Sequence, residues 1–495
     1  MSSPQRTRIR WRIAHRWLRA RSWLLPIVAL LAVTLPHLSD GDWMRSDSGW
    51  YAAIGVQAWR TGELLTLGAE PGTPYFNKPP LVFWIIGLPM HLMGPNAWTA
   101  RLGTIAAAAI CVLLTVSIAR TGMSRRGALW AGLTLSLTYE FFRRTREISL
   151  DMWQAAFLLI AFRCLVGAIT TTDRRRAVAA FAISGLPIGL ALLCKPLVGL
   201  AAVPMFAIML LICRKGRMIP WLLLTLASAL LVAAPWHLAM QAIHGEAFVG
   251  QYFGAEIADR ATGGSVVNEG GVGRWWFYIE KVLAGYWPWL IPIACCIGAT
   301  IRRRRIGGDA RLLICAAIWT VAWLAFLSIF PDRRDRYALV LYPTLAIPVG
   351  AWLAYRSRPV IRSLLKGVER HGIWAMPLAA CIFAILPIRV QNPPDPQWTE
   401  LFAYLESEGN PDVWQGAMIG HRGSRIYLET GKWPATTRNR QGEIVAVPPG
   451  GALIIYHDHD GLKPGPGEHV VFQSRMLTLT QLAEEAVWSP IPSGG

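Results

Sequence analysis

The chain has 495 residues, 53% of them hydrophobic and only 16% charged, where a soluble domain carries about a quarter charged residues. Its formal charge of +19 is spread as short Lys/Arg clusters between apolar runs, with no basic groove interleaved with stacking aromatics. That pattern argues against nucleic-acid binding and for loops held on the cytoplasmic side of a membrane. All eight cysteines (Cys111, Cys164, Cys194, Cys213, Cys295, Cys296, Cys315 and Cys381) lie in or near apolar segments without CxxC or Cys/His spacing. They read as small hydrophobes, with neither a disulfide framework nor a zinc site.

In chain order, a long basic stretch (RTRIRWRIAHRWLRARS) precedes the apolar run Trp23–Leu38. No clean small-residue cleavage site follows, so the run is expected to be a retained first span, with residues 1–22 cytoplasmic. Ten further runs approach the length that crosses a hydrocarbon core: Thr99–Ala119, Ala128–Phe142, Met152–Ile169, Ala177–Leu193, Leu197–Cys213, Ile219–Leu238, Leu283–Ile301, Leu312–Phe330, Tyr337–Tyr355 and Ile373–Arg389. Leu81–Gly94 is short for a span and contains Pro89. If it does not cross, the loops Arg120–Arg126, Asp173–Arg176, Arg214–Arg217, Arg302–Arg311 and Arg356–Arg370 all fall inside, as the positive-inside rule requires.

This threading gives an all-α polytopic membrane protein with about 11 transmembrane helices. Residues 23–389 form the membrane domain, with outer loops over 39–98 and 239–282. After NPPDPQ the composition changes: a helical TELFAYLESEG and β-like runs such as GALIIYH predict a small α/β extracytoplasmic domain over 390–495.

Chemistry-bearing residues gather on the outer side. Asp47 opens RSDSGWYAAIGVQAW, whose Trp50, Ile54 and Ala58 recur every four residues, the pattern of an amphipathic helix lying at the membrane surface. As a helix N-cap Asp47 would satisfy free backbone amides and still accept a proton. Lys78, in PYFNKPPLVFW, either snorkels to headgroups or supplies a point charge for a phosphate. Asp151 sits at the mouth of a span, with Arg146 as a structural partner in reach. Lys195 divides two apolar runs. Glu256 and Arg260 have i,i+4 spacing, an ordinary helical ion pair. PDRRDRYALVLYP places Arg333 and Arg336 outside, against the charge bias, which suggests an anion to bind. His457-Asp458-His459-Asp460 reads as a turn rather than a metal site.

The ordered set DSGWYA, YFNKPPLVFW, ARLGT, SLDMW, LLCKP, APWHLAMQ, WPW and DRYALVLYP resembles the lipid-linked-sugar glycosyltransferases of the GT-C fold. It is most similar to the aminoarabinose transferases of lipid A and the protein O-mannosyltransferases, over roughly residues 20 to 355. The resemblance implies a multi-pass bacterial inner-membrane enzyme that moves a sugar from a polyprenyl-phosphate donor to a lipid, glycan or protein acceptor on the periplasmic face, with inversion. It implies Asp47 as base and Asp151 as the acidic residue of the second outer loop. Lys78, Arg260 and Tyr337 would hold the donor phosphate, with Lys195, Glu256, Arg333 and Arg336 in support. Ser48 and Asn77 stand where the family carries acidic residues; this weakens the case for a divalent metal without removing it, and no other cofactor is implied. The alternative is a lipid-carrier binding or transport protein without transferase activity. Transporters tend to show internal repeats and charges at mid-membrane, which this sequence lacks.

Overall fold

The computed structural model describes residues 24–355 apart from 45–46, 71, 196–197, 260–273, 303–306 and 332. It also describes residues 395–492 apart from 417–419, 439–443, 459–461 and 489–490, and scattered positions between 363 and 393. Helices dominate. Among the described residues five stretches are long and apolar enough to cross a membrane: Ala97–Ala119, Leu150–Thr170, Arg174–Leu192, Gly216–Asp259 and Ala310–Ile329. The helices Phe277–Gly285 and Leu290–Ile301, bent by 109° to one another, make a sixth if counted as one span. Leu25–Thr34, Leu81–Met93 and Val198–Ile212 are shorter apolar helices. The chain is a membrane protein.

Side-chain caps set several helix starts. Ser149 accepts from the Met152 amide at 3.2 Å, Asp173 from Arg175 at 2.8 Å and Asp309 from Arg311 at 2.7 Å, each satisfying an otherwise orphaned N–H. The chain divides into two compact units, one of Met1–Leu38, Phe76–Val82 and Arg101–Ile388, the other of Ser39–Tyr75, Phe83–Ala100 and Arg389–Gly495.

In the first unit the helices pack through small residues, as lipid-embedded helices do when shape alone must hold them together. Gly185 and Gly189, in GLPIG of the Arg174–Leu192 helix, lie so close to the Thr225 and Ala229 carbonyls of the Leu222–Val249 helix that neither has room for a Cβ. Ser184 Oγ and Thr225 Oγ1 are 3.1 Å apart beside them. The Leu222–Val249 helix breaks at Gly245, φ 52 and ψ −127, a left-handed conformation that glycine adopts without steric cost. A π-helical segment follows, Gly250–Asp259.

The second unit combines the Asp47–Thr61 helix with the chain's C-terminal part. There a five-stranded sheet runs in the spatial order Ala435–Thr436, Val413–Gln415, Leu453–His457, Leu477–Leu482, Glu468–Gln473. The first three strands are parallel and the last two pairings antiparallel. Trp398, Leu401 and Leu405 of the Pro396–Ser407 helix and Ile426 of the Gly420–Thr430 helix pack on Val413, Ile455, Leu477 and Leu479 of the sheet.

The surface placement expected for the Asp47–Thr61 helix is corrected: Gly49 to Ala58 are all buried, and a helix buried all round is a core helix. Its Gly55 meets Gly87 of the Leu81–Met93 helix at backbone contact. Trp59 Nε1 donates to the Trp84 carbonyl at 2.9 Å. Its other side meets the C-terminal part, where Trp433 donates to Gln57 and Arg60 lies 5.2 Å from the centre of the Tyr427 ring.

Candidate functional site

In the first unit, four of the residues singled out in the sequence come together from three segments. Asp151 lies in the first turn of the Leu150–Thr170 helix and is 8% exposed. Lys195 follows the end of the Arg174–Leu192 helix, where a Lys-Pro step stops helical continuation. Arg336 and Tyr337 sit on the 3-10 turn Asp335–Val340. Lys195 Nζ donates to Asp151 Oδ1 at 2.9 Å, and Arg336 Nε lies 3.3 Å from Asp151 Oδ2. Lys195 Nζ also stands 3.4 Å from the centroid of the Tyr337 ring, a cation–π contact. Two cations share one carboxylate, and an ammonium and a guanidinium are both groups that can meet a phosphate oxygen. The partner expected for Asp151 is corrected: Arg146 instead donates to the Val33 carbonyl.

Lys78 is buried, 6% exposed, and paired with Glu256, 7% exposed. Beside this pair Gln251 Nε2 donates to Asn77 Oδ1 at 2.9 Å. Glu256, on the π-helical segment, has a partner 178 positions away in Lys78, while its i,i+4 pairing with Arg260 falls outside the described residues. Arg260 lies outside the described residues. Arg333, also buried, donates to the Ser328 carbonyl at 3.2 Å, near the C-terminal end of the Ala310–Ile329 helix, where a cation meets the negative end of the helix dipole.

The sequence reading passed over one charged network. In YEFFRRTRE, Arg143 and Arg144 bridge Glu140 and Glu147, with Arg144 Nη1 to Glu147 Oε2 at 2.7 Å. Both arginines also reach Asp335, Arg143 at 3.5 Å, the residue beside Arg336. The i,i+3 and i,i+4 spacing of these charges was the available signal.

Asp47 belongs to the other unit, as the half-buried first residue of its helix. In the same unit Asp42 pairs with Arg425, whose guanidinium lies 5.5 Å from the Trp398 ring centroid. A cavity of about 520 Å³ opens here, lined by Asp42, Asp395, Glu406, Glu429, Arg425 and Trp398 among others. Burial, then the neighbouring Glu406, pushes the Glu429 carboxyl above its ordinary range, with Arg425 opposing. Among the described residues no group of three or more His, Cys, Asp or Glu side chains could hold a metal ion. His459 and Asp460 lie outside the described residues.

A family model of dolichyl-phosphate-mannose-protein mannosyltransferases matches residues 77–238. The crystal structure of ArnT from Cupriavidus metallidurans bound to undecaprenyl phosphate superposes with a TM-score of 0.72 at 17% identity, covering 95% of this chain and 98% of that one. The fold is the GT-C fold of the lipid-linked-sugar glycosyltransferases. In sequence the chain is 27% identical over 340 residues to the undecaprenyl phosphate-alpha-4-amino-4-deoxy-L-arabinose arabinosyl transferase of Aeromonas salmonicida, covering 68% of this chain. It is 25% identical over 385 residues to the enzyme of the same name from Pseudomonas aeruginosa, covering 75% of this chain. The chain spans 60% and 66% of the length of these two relatives. The archaeal oligosaccharyltransferase AglB from Archaeoglobus fulgidus is more distant, with a TM-score of 0.51 at 12% identity over 86% of this chain and 64% of that one. The resemblance read from the motifs therefore holds for the fold across nearly the whole chain.

Proposed function

We propose that this chain is a membrane glycosyltransferase that moves a sugar from a polyprenyl-phosphate donor to a lipid, glycan or protein acceptor on the periplasmic face of a bacterial inner membrane. Eleven crossings with the basic loops inside give that orientation. The acceptor oxygen attacks the anomeric carbon with inversion while Asp47 takes its proton. The bond from that carbon to the phosphate oxygen breaks, and its electron pair leaves with the polyprenyl phosphate. Lys78, Lys195, Arg336 and Tyr337 stabilise the charge that develops on the departing phosphate, where fixed donors are worth most; Arg260 is assigned to the same task by the resemblance alone. Asp151 holds Lys195 and Arg336 in place. Residues 390–495 contribute to acceptor recognition.

The observation that carries this reading is the convergence of Asp151, Lys195, Arg336 and Tyr337 on one contact set, in a chain whose fold is that of enzymes using polyprenyl-linked donors.

The test uses protein in nanodiscs with polyprenyl-phosphate sugars as donors and membrane lipid extract as acceptor. Release of polyprenyl phosphate is expected from the wild type and lost in Asp47→Asn, while donor binding persists. Equal release from both would remove Asp47 from the chemistry. Unchanged acceptor choice after deletion of residues 390–495 would remove that region from recognition.

A further inference from the structure

We propose that Glu256 is the placeholder for the donor phosphate: it occupies Lys78 until the phosphate arrives, and binding is an exchange of one anion for another on the same lysine. This rests on the reading of Lys78 as a phosphate ligand and adds what stands in that place beforehand.

Lys78 and Glu256 are 6% and 7% exposed, and an ammonium so far from water is costly unless an anion meets it. Glu256 meets that need. A phosphate entering beside an ionised Glu256 would put two anions in one poorly solvated place, which is unfavourable. The phosphate therefore gains Lys78 only as Glu256 lets go.

The backbone around Glu256 is suited to letting go. The residue sits on a π-helical segment, a rare form that is frequent at functional sites, which follows the break at Gly245. Two of the grips on the segment differ in kind. At its start Tyr252 Oη and His237 Nε2 are 2.9 Å apart, and Phe248 stacks on Tyr252 with centroids 5.0 Å apart. Toward Lys78 the grip is the ion pair and the bond from Gln251 to Asn77. The second grip is polar, and an anion competes with it directly. Asn77 is also neutral, so the stretch carrying Lys78 brings no further negative charge of its own to repel the phosphate.

A structural role for Glu256, holding Lys78 ready, predicts the opposite sign: removing its charge would weaken phosphate binding. The experiment measures dissociation constants for undecaprenyl phosphate and for undecaprenol, the uncharged alcohol, with the full chain in nanodiscs. The variants are Glu256→Gln, Gln251→Ala and Lys78→Ala. The exchange predicts that Glu256→Gln binds the phosphate about tenfold tighter, within the range of ordinary site coupling. Gln251→Ala, which cuts the neighbouring tether at an exposed bond, should bind it about twofold tighter, and neither should change binding of the alcohol. Should Glu256→Gln fail to fold, Gln251→Ala carries the test. Weakened phosphate binding in Lys78→Ala with no tightening in either other variant overturns the exchange and leaves the phosphate role of Lys78 standing. Undiminished phosphate binding in Lys78→Ala overturns that role and the exchange with it.

Discussion

Asp151→Asn removes one charge from a set in which two cations depend on it. Asp151 is 8% exposed, and the side chains of Lys195 and Arg336 are 13% and 25% exposed. Deleting one partner of a buried pair costs about 3–5 kcal/mol, because the other charge stays behind uncompensated. Here two cations each lose one partner, but Arg336 reaches water along a quarter of its surface, and the new amide oxygen can still accept one hydrogen bond. The lower end, about 3 kcal/mol, is therefore expected. An unfolding entropy of about 2 cal/mol/K per residue makes this about 1 °C per kcal/mol for a chain of 495 residues, so the melting temperature should fall by about 3 °C. The assay is thermal unfolding of detergent-purified protein, run beside Lys195→Met and the double variant. If the ion pair is what is lost, the double variant should be less destabilised than the sum of the singles by about 1–3 kcal/mol. A single-variant melting temperature within about 1 °C of wild type, or strict additivity, would refute the account of Asp151 as the holder of two cations. Turnover lost per folded molecule at unchanged stability would move Asp151 into the chemistry itself.

Other outcomes follow from the packing and the cavity. Gly87→Ala should destabilise the protein by about 1–3 kcal/mol, since its Cβ would run into the Gly55 backbone, which cannot swing aside. Gly298→Ala, at a helical position with open space around it, should be neutral or stabilising by up to about 1 kcal/mol; thermal melts of both check the contrast. Glu429 has a folded-state pKa above its unfolded one, so the folded protein holds that proton more tightly. Its contribution to stability is present in acid and is lost as pH rises from about 4 through the folded value. Glu429→Gln should flatten that part of the stability-versus-pH curve, and an unchanged slope would show that the carboxyl is not strained.

The regular parts of the fold are legible because lipid demands long apolar runs. Thr99–Ala119 is a helix from Ala97 to Ala119, Met152–Ile169 one from Leu150 to Thr170, and Leu312–Phe330 one from Ala310 to Ile329. The run Leu283–Ile301 looked continuous but turns through 109° around Trp287–Pro288. Pro288 was the visible reason, since it removes a backbone donor and clashes with the preceding helical turn. The partners were not legible. Nothing in the spacing of FVGQYFGAEIADR points from Glu256 to Lys78, and nothing in GVQAW points from Gln57 to Trp433, because each pairing is made by the tertiary fold.

Residue placement follows one physical constraint. A spanning helix cannot hold a charge in its middle without a large cost, so charged groups are driven to places where regular helix stops. Lys78 precedes a helix, Asp151 lies in a first turn, Lys195 follows a last turn, Arg336 rides a 3-10 turn and Glu256 a π-helix. Irregular backbone leaves amides and carbonyls unpaired, and a membrane protein can keep it only where protein or water covers it. Covered irregular backbone and displaced charge are therefore found together, and each makes the other tolerable by supplying hydrogen-bond partners. Hydropathy shows where such places fall, as the gaps between apolar runs. Which gaps meet in space is decided by helix packing such as that of Gly185 and Gly189 on the neighbouring helix, whose glycine spacing is written in the sequence but names no partner.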